Sequence, residues 1–193
     1  MTTLPEPKLD APGAGLSPSA LFFARIYFRL KCLTGSREKF IAGFETERAR
    51  IRALVDPCAL SQRGVRILIP RLPGLEDSSR YHSIWMTLDH LRITNLAFAG
   101  VIQELSQGRV PGFVASTAKV KPDPGVGEEV DALYEKSCDH FLHALTAVGE
   151  LDTSVRYRHP WFGPLNGYRW LAITRMHMSI HRAQIAAIIR RLP

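Results

Sequence analysis

Cysteine is scarce in this sequence of 193 residues. The three present, Cys32, Cys58 and Cys138, form no CxxC or zinc-finger spacing. That excludes a disulfide scaffold and a thiolate zinc module, and an odd, sparse set suits a reducing cytoplasm. Each reads as a small buried apolar residue rather than a reactive thiol. Long apolar runs are also missing. The most apolar early stretch, Ala20 to Leu33, is interrupted by Arg25, Arg29 and Lys31, so it cannot span a bilayer. The first eighteen residues are polar and proline-rich, unlike an apolar leader, and a cytoplasmic protein with no membrane partner is expected. Basic residues outnumber acidic ones by 25 to 18, a net charge of +7. They show no clustering with interleaved aromatics, so nucleic acid is not an expected partner. No phosphate-cradling glycine motif, internal repeat or convincing strand alternation is visible.

What remains is helical periodicity broken by proline and glycine. Residues 1–18 carry four prolines and little to bury, and they read as a flexible tail before one domain over 19–193. Ser17 is placed to cap a helix over about 20–33, with Pro18 in its first turn. Its basic residues Arg25 and Arg29 share a face, which fits a core helix with two surface arginines better than a membrane-surface helix. After Gly35 and Ser36, residues 37–55 repeat the pattern, as a second helix or as the far arm of a kinked one. Phe40, Phe44, Ile51 and Leu54 form its apolar stripe, and Glu45, Glu47, Arg48 and Arg50 face solvent.

Residues 56–80 are loop-like, with an RILI segment that could be extended. From Tyr81 to about Gln107 a strong helical pattern resumes. Ile84, Leu88, Leu91, Phe98, Ile102 and Leu105 line one side, Asp89 and Arg92 lie opposite, and His90 sits on the flank of the stripe. Gly108 and Pro111 end this helix. The following loop, residues 111–127, is long for a bundle connection, and such loops often cover a site. A helix over about 128–148 carries Val130, Leu133, Phe141, Leu142 and Leu145 inside, with His140 and His143 at the surface.

The last third, His159 to Arg191, combines a proline- and glycine-rich approach loop with one long helix. With Trp170 at zero on a wheel of about 100° per residue, His177 falls near 340°, His181 near 20°, Gln184 near 320° and Ile188 near 0°. Arg175, Ser179, Arg182 and Arg190 point outward. Two histidines one turn apart thus occupy the buried face, where they can share a metal ion or be hydrogen-bonded within the bundle. The spacing is that of HEXXH, but Met178, Ser179 and Ile180 intervene, so the metalloprotease glutamate is absent. Four principal helices, or five with the first region split, predict an all-α four-helix bundle with an extra N-terminal helix and long loops.

The run His159-Pro160-Trp161-Phe162-Gly163-Pro164-Leu165, then Trp170, His177, His181 and Gln184, resembles the C-terminal signature of the DinB-like superfamily, in a branch with an HPxFG loop. Trp85 followed by Asp89-His90-Leu91 resembles its other signature. The resemblance extends from about residue 37 to the C-terminus. It implies an up-down-down-up bundle in which His90, His177 and His181 bind a divalent metal, nickel or zinc before iron or manganese. Three protein ligands leave a coordination position open, as catalytic sites do. Relatives include thiol-dependent S-transferases and isomerases, so a low-molecular-weight thiol, a small electrophilic substrate and a homodimer are implied. A metal-hydroxide hydrolase is the neighbouring enzyme option, and the alternative to an enzyme is a non-enzymatic metal-binding or stress-associated interaction protein. His159 is the candidate catalytic residue, as proton shuttle or substrate contact, though it could equally pin its loop. Trp161, Phe162 and Trp170 read as packing, and Gln184 as a partner that orients a ligand or as a satisfied boundary residue.

Overall fold

A computed structural model describes residues 6–193. The helices are α1 (Pro18–Thr34), α2 (Arg37–Val55), the single turn α3 (Leu60–Arg63), α4 (Ile84–Ser106), α5 (Glu129–Thr146) and α6 (Gly167–Ile189). Each long helix but α5 starts on a side-chain cap. Ser17, Ser36, Ser83 and Asn166 accept from the backbone amides of Ala20, Lys39, Met86 and Arg169, satisfying one orphan N–H apiece. α5 carries Glu129 and Asp131 in its first turn, where the helix dipole favours negative charge. α1 and α2 are separate helices, divided at Gly35. A side chain there would collide with the Phe40 ring and the Lys31 carbonyl, so only glycine lets the chain turn so tightly.

α2, α4, α5 and α6 form a four-helix bundle. α6 packs between α2 and α4, α5 packs on α4, and Phe44 of α2 meets Phe141 of α5 at 4.5 Å between ring centres. The core runs through Phe44, Ile51, Leu88, Leu91, Ile102, Tyr134, Phe141, Leu171 and Ile185. α1 leans on α6 from outside. Two short antiparallel pairs complete the fold: β1 (Ile67–Leu68) with β2 (Tyr81–His82), and β3 (Tyr157–His159) with β4 (Gly163–Leu165).

Several expectations are corrected. Tyr81 and His82 belong to a strand, and the helix begins only after Ser83. Leu133 is exposed. Glu47, expected in solvent, is buried and paired with Arg182 at 2.6 Å and Arg50 at 2.9 Å. Asp89, expected on the outer side, is buried. It accepts from Arg92 and, through Oδ2, from the backbone amide of Asp123, tying the 111–127 loop to α4. In each case an arginine or amide from elsewhere offsets the desolvation of the carboxylate. Residues 1–5 of the expected tail lie outside the described residues. Residues 6–17 lie against the 66–77 segment, where Arg66 donates to Glu6, Asp10 N–H donates to Asp77, and Gly13 N–H to Glu76.

Candidate metal centre

His90 projects from α4, and His177 and His181 from successive turns of α6. One ring nitrogen from each lies within 4.8 Å of the others. The Nε2 atoms of His90 and His177 are 3.1 Å apart. Two imidazoles bound tetrahedrally to one ion at about 2.0–2.1 Å would hold their nitrogens about 3.3 Å apart, so this edge already matches.

Hydrogen bonds on the far side of two rings set their tautomers. His90 Nδ1 faces the Val120 carbonyl at 2.6 Å. A carbonyl can only accept, so Nδ1 carries the proton and Nε2 turns a lone pair inward. For His181 the assignment comes from further out. The Gln184 amide nitrogen donates to the Ser79 carbonyl at 2.7 Å, which turns Gln184 Oε1 toward His181 Nδ1 at 2.6 Å. Nδ1 must then donate, again leaving Nε2 free. Gln184 is therefore an orienting partner, as metal-bound histidines require. His177 differs: its buried Nδ1 has no partner among the described residues.

Burial keeps all three rings neutral. Desolvation lowers His90 to about 4. Desolvation first, then the neighbouring histidines, pushes His177 and His181 well below the usual imidazole value. Neutral imidazole is the ligand form. The donor set thus fits a divalent ion in charge state, in tautomer at His90 and His181, and in spacing at the His90–His177 edge.

Around the cluster lies a layer that sequence reasoning missed. Lys121 donates to Glu76, Ser78 and Ser79 at 2.8–3.1 Å, so the Gln184–Ser79 link continues into the loop covering the site. Although burial would raise it, the Glu76 carboxyl is held below its usual value by hydrogen bonds from Thr117 and Lys121. His82 is buried, its Nδ1 without a partner among the described residues, and burial lowers it to about 3, with His90 adding to the effect. A histidine in a two-residue strand leaves no periodic signal in the sequence.

The cluster forms the floor of a cavity of about 190 Å³. Its walls are apolar: Phe98 and Val101 from α4, Trp170 and Ile173 from α6, Leu75 from the segment between β1 and β2, Phe113 and Val114 from the long loop, and Trp161 and Phe162 from the approach segment. These aromatics both pack and line the cavity, so the reading of them as packing alone was incomplete. Gly74 forms part of the wall with φ +79°, and a side chain there would strike Ile180.

His159 lines the same cavity from β3, against the rings of Phe162 and Trp170 at 5.0 and 5.1 Å. Its Nδ1 accepts from the backbone amides of Trp161 and Phe162 at 3.1 and 3.4 Å. It does pin the loop, and the neutral ring must then carry its proton on Nε2. Burial lowers it to about 3. His140 and His143 are exposed on α5. Burial raises the thiols of Cys32 and Cys138, to about 11 and about 12, so neither is a ready nucleophile.

Fold and site together define a four-helix bundle with three histidines that could hold a metal ion at the base of an apolar chamber. No family model matches the sequence, and no curated protein matches it. Among solved structures it is similar to TT2238, described as a four-helix bundle protein, with 18% identity and a TM-score of 0.58 over 79% of this chain and 99% of that one. At that identity the likeness speaks for the fold.

Proposed function

We propose that this chain is a divalent-metal-dependent enzyme of the DinB-like kind, joining a low-molecular-weight thiol to a small, largely apolar electrophile. His90, His177 and His181 are the ligands, of nickel or zinc before iron or manganese, within one domain over 19–193 that works as a homodimer. The observation that carries this reading is the convergence of three neutral histidines at the floor of an apolar chamber.

A divalent ion held there supplies acidity to a thiol placed beside it, so that thiolate is available at neutral pH. The thiol comes from outside, because none of the three cysteines lines the chamber and burial makes Cys32 and Cys138 poor thiolates. Sulfur forms a bond to the electrophilic carbon, the electron pair of the broken bond leaves with the departing atom, and the thiol proton passes to solvent. The loop 111–121 and the segment 159–162 supply much of the wall around the reacting atoms. His159 is the catalytic residue, as a donor: its Nε2–H can hydrogen-bond the departing atom as negative charge builds there. Its Nδ1 is occupied by the loop amides, so it does not act as a base through that atom.

Elemental analysis of untagged protein beside a His181→Ala variant, with helicity checked in both, is the test. Near-stoichiometric metal that the folded variant lacks, with thiol consumption that chelation abolishes, is the expected result. Metal without turnover across a panel of thiols and electrophiles would favour a non-enzymatic metal-binding protein. Absence of metal after reconstitution would reduce the histidines to a structural set.

A further inference from the structure

The outward face of α1 has no partner within the bundle. With buried Phe28 at zero on a helical wheel, Phe22, Leu33, Ile26, Leu30 and Phe23 fall in that order between about 120° and 220°. All five are exposed, Phe23 by 67% and Leu33 by 80%. Ser19 in the first turn interrupts the arc, and no charge does. Arg25 and Arg29 border it on one side at about 60° and 100°, and Tyr27 and Lys31 on the other at about 260° and 300°. α1 contains no acidic residue. A groove beside it, between α1, α2 and α6, is lined by Lys31, Arg50, Arg175 and Arg182 with one carboxylate, Glu47, which is already paired with Arg50 and Arg182.

An apolar stripe flanked on both sides by long basic side chains is the pattern of a helix lying in a membrane interface. The apolar residues enter the acyl boundary while arginine and lysine reach back to the headgroups. Spanning is not involved, since no described helix is long and apolar enough to cross a membrane. We propose that α1 docks this protein on an anionic lipid surface, in place of the core helix without a membrane partner expected from the sequence, because five of its large apolar residues are exposed. Charge complementarity favours that occupant over a second copy. Twofold pairing of α1 would set its basic flanks beside the same flanks of the partner, with no acid on the helix to separate them. Anionic headgroups complement both flanks and the basic groove together. α1 also touches the chamber's rim: Arg25 donates to the Trp161 carbonyl at 2.8 Å, and Phe28 packs on Phe162 at 4.7 Å. Docking through α1 would therefore hold the chamber close to the lipid, where an apolar substrate partitions. The docking itself is independent of the metal reading.

The test is co-sedimentation of the full chain with vesicles of phosphatidylcholine alone and of phosphatidylcholine with a quarter of phosphatidylglycerol. Light scattering without lipid accompanies it. Partition into the anionic vesicles that falls with salt, with little into the neutral ones, is expected. Arg29→Glu should weaken it roughly tenfold or more. The double variant Phe23→Ser/Leu30→Ser, whose sites are exposed, should abolish it with helicity unchanged. Binding indifferent to lipid charge or to either variant overturns the proposal. So does absence of binding; a dimer that the double variant dissociates would then assign the stripe to a second copy.

Discussion

At the scale of single residues, His181 is held by a relay with one consistent placement of protons, from His181 Nδ1 to Gln184 and from Gln184 to the Ser79 carbonyl. Gln184→Ala frees the ring to rotate and to change tautomer. Metal affinity, measured by competition with a chromogenic chelator, is expected to fall by about 10–100-fold while helicity is kept. His159 offers a cleaner separation of roles. His159→Asn keeps an acceptor for the loop amides but deletes the Nε2–H, so metal content should hold while turnover drops by about 100-fold. Equal turnover would return His159 to a purely structural part. The buried histidines also set a pH dependence for the metal-free protein. Their folded values lie below the unfolded value of about 6.5, so below that pH the unfolded chain binds more protons and stability falls with acidification. For His90 the loss runs from about 6.5 down to about 4 and contributes at most about 1.4 kcal/mol per pH unit. Urea midpoints at pH 7 and pH 5 check the sign. The two histidines of α6 were legible because a polar pair on an apolar face contradicts its surroundings. Gln184's acceptor was not, because Ser79 is a backbone contact 105 residues away.

At the scale of elements, the long helices could be read from their apolar stripes and capping serines, and the small strands could not. β3 and β4 are three residues each, Pro160 lies in the turn between them and β4 itself reads Gly163-Pro164-Leu165, so the composition of a turn masks them. The exposed charges were misread for a related reason. Glu47 repeats with the solvent face of α2, and only Arg182, arriving from α6, makes its burial tolerable. The ends of helices follow the same logic. Arg37, at the start of α2, donates to the carbonyls of Leu145, Val148 and Gly149 at 2.7–2.9 Å, closing the C-terminal end of α5, where orphan acceptors gather. Arg37→Met keeps the aliphatic stem and removes these donors. It is expected to cost about 1–3 kcal/mol, read as a lower urea midpoint at unchanged slope, with faster amide exchange confined to the last turn of α5.

At the scale of the whole molecule, the four-helix arrangement followed from helix count and loop length, since four amphipathic helices of this size have few other ways to bury their faces. The position of α1 did not follow. Its two faces are both rich in large apolar residues, and only the packing tells that Phe28 looks inward while Leu30 and Leu33 look out. Because the site joins α4 to α6, an ion bound there should stabilise the bundle as a unit. At a hundredfold excess over the dissociation constant, zinc or nickel is expected to add about 2.7 kcal/mol. Calorimetry should show one transition moving to higher temperature, reversed by a chelator and absent in His181→Ala. Deleting residues 1–16, which spares the Ser17 cap of α1, should leave that transition cooperative, since the described part of this segment is tied by a few mostly exposed contacts.

Of the three tryptophans, Trp161 and Trp170 line the chamber, whereas Trp85 donates to Asp131 elsewhere. The protein therefore contains its own optical probe. A paramagnetic ion seated on the histidines lies within quenching range of two indoles, and a ligand that displaces water from the same walls shifts their emission. Occupancy of floor and walls can be followed separately by fluorescence, without labels.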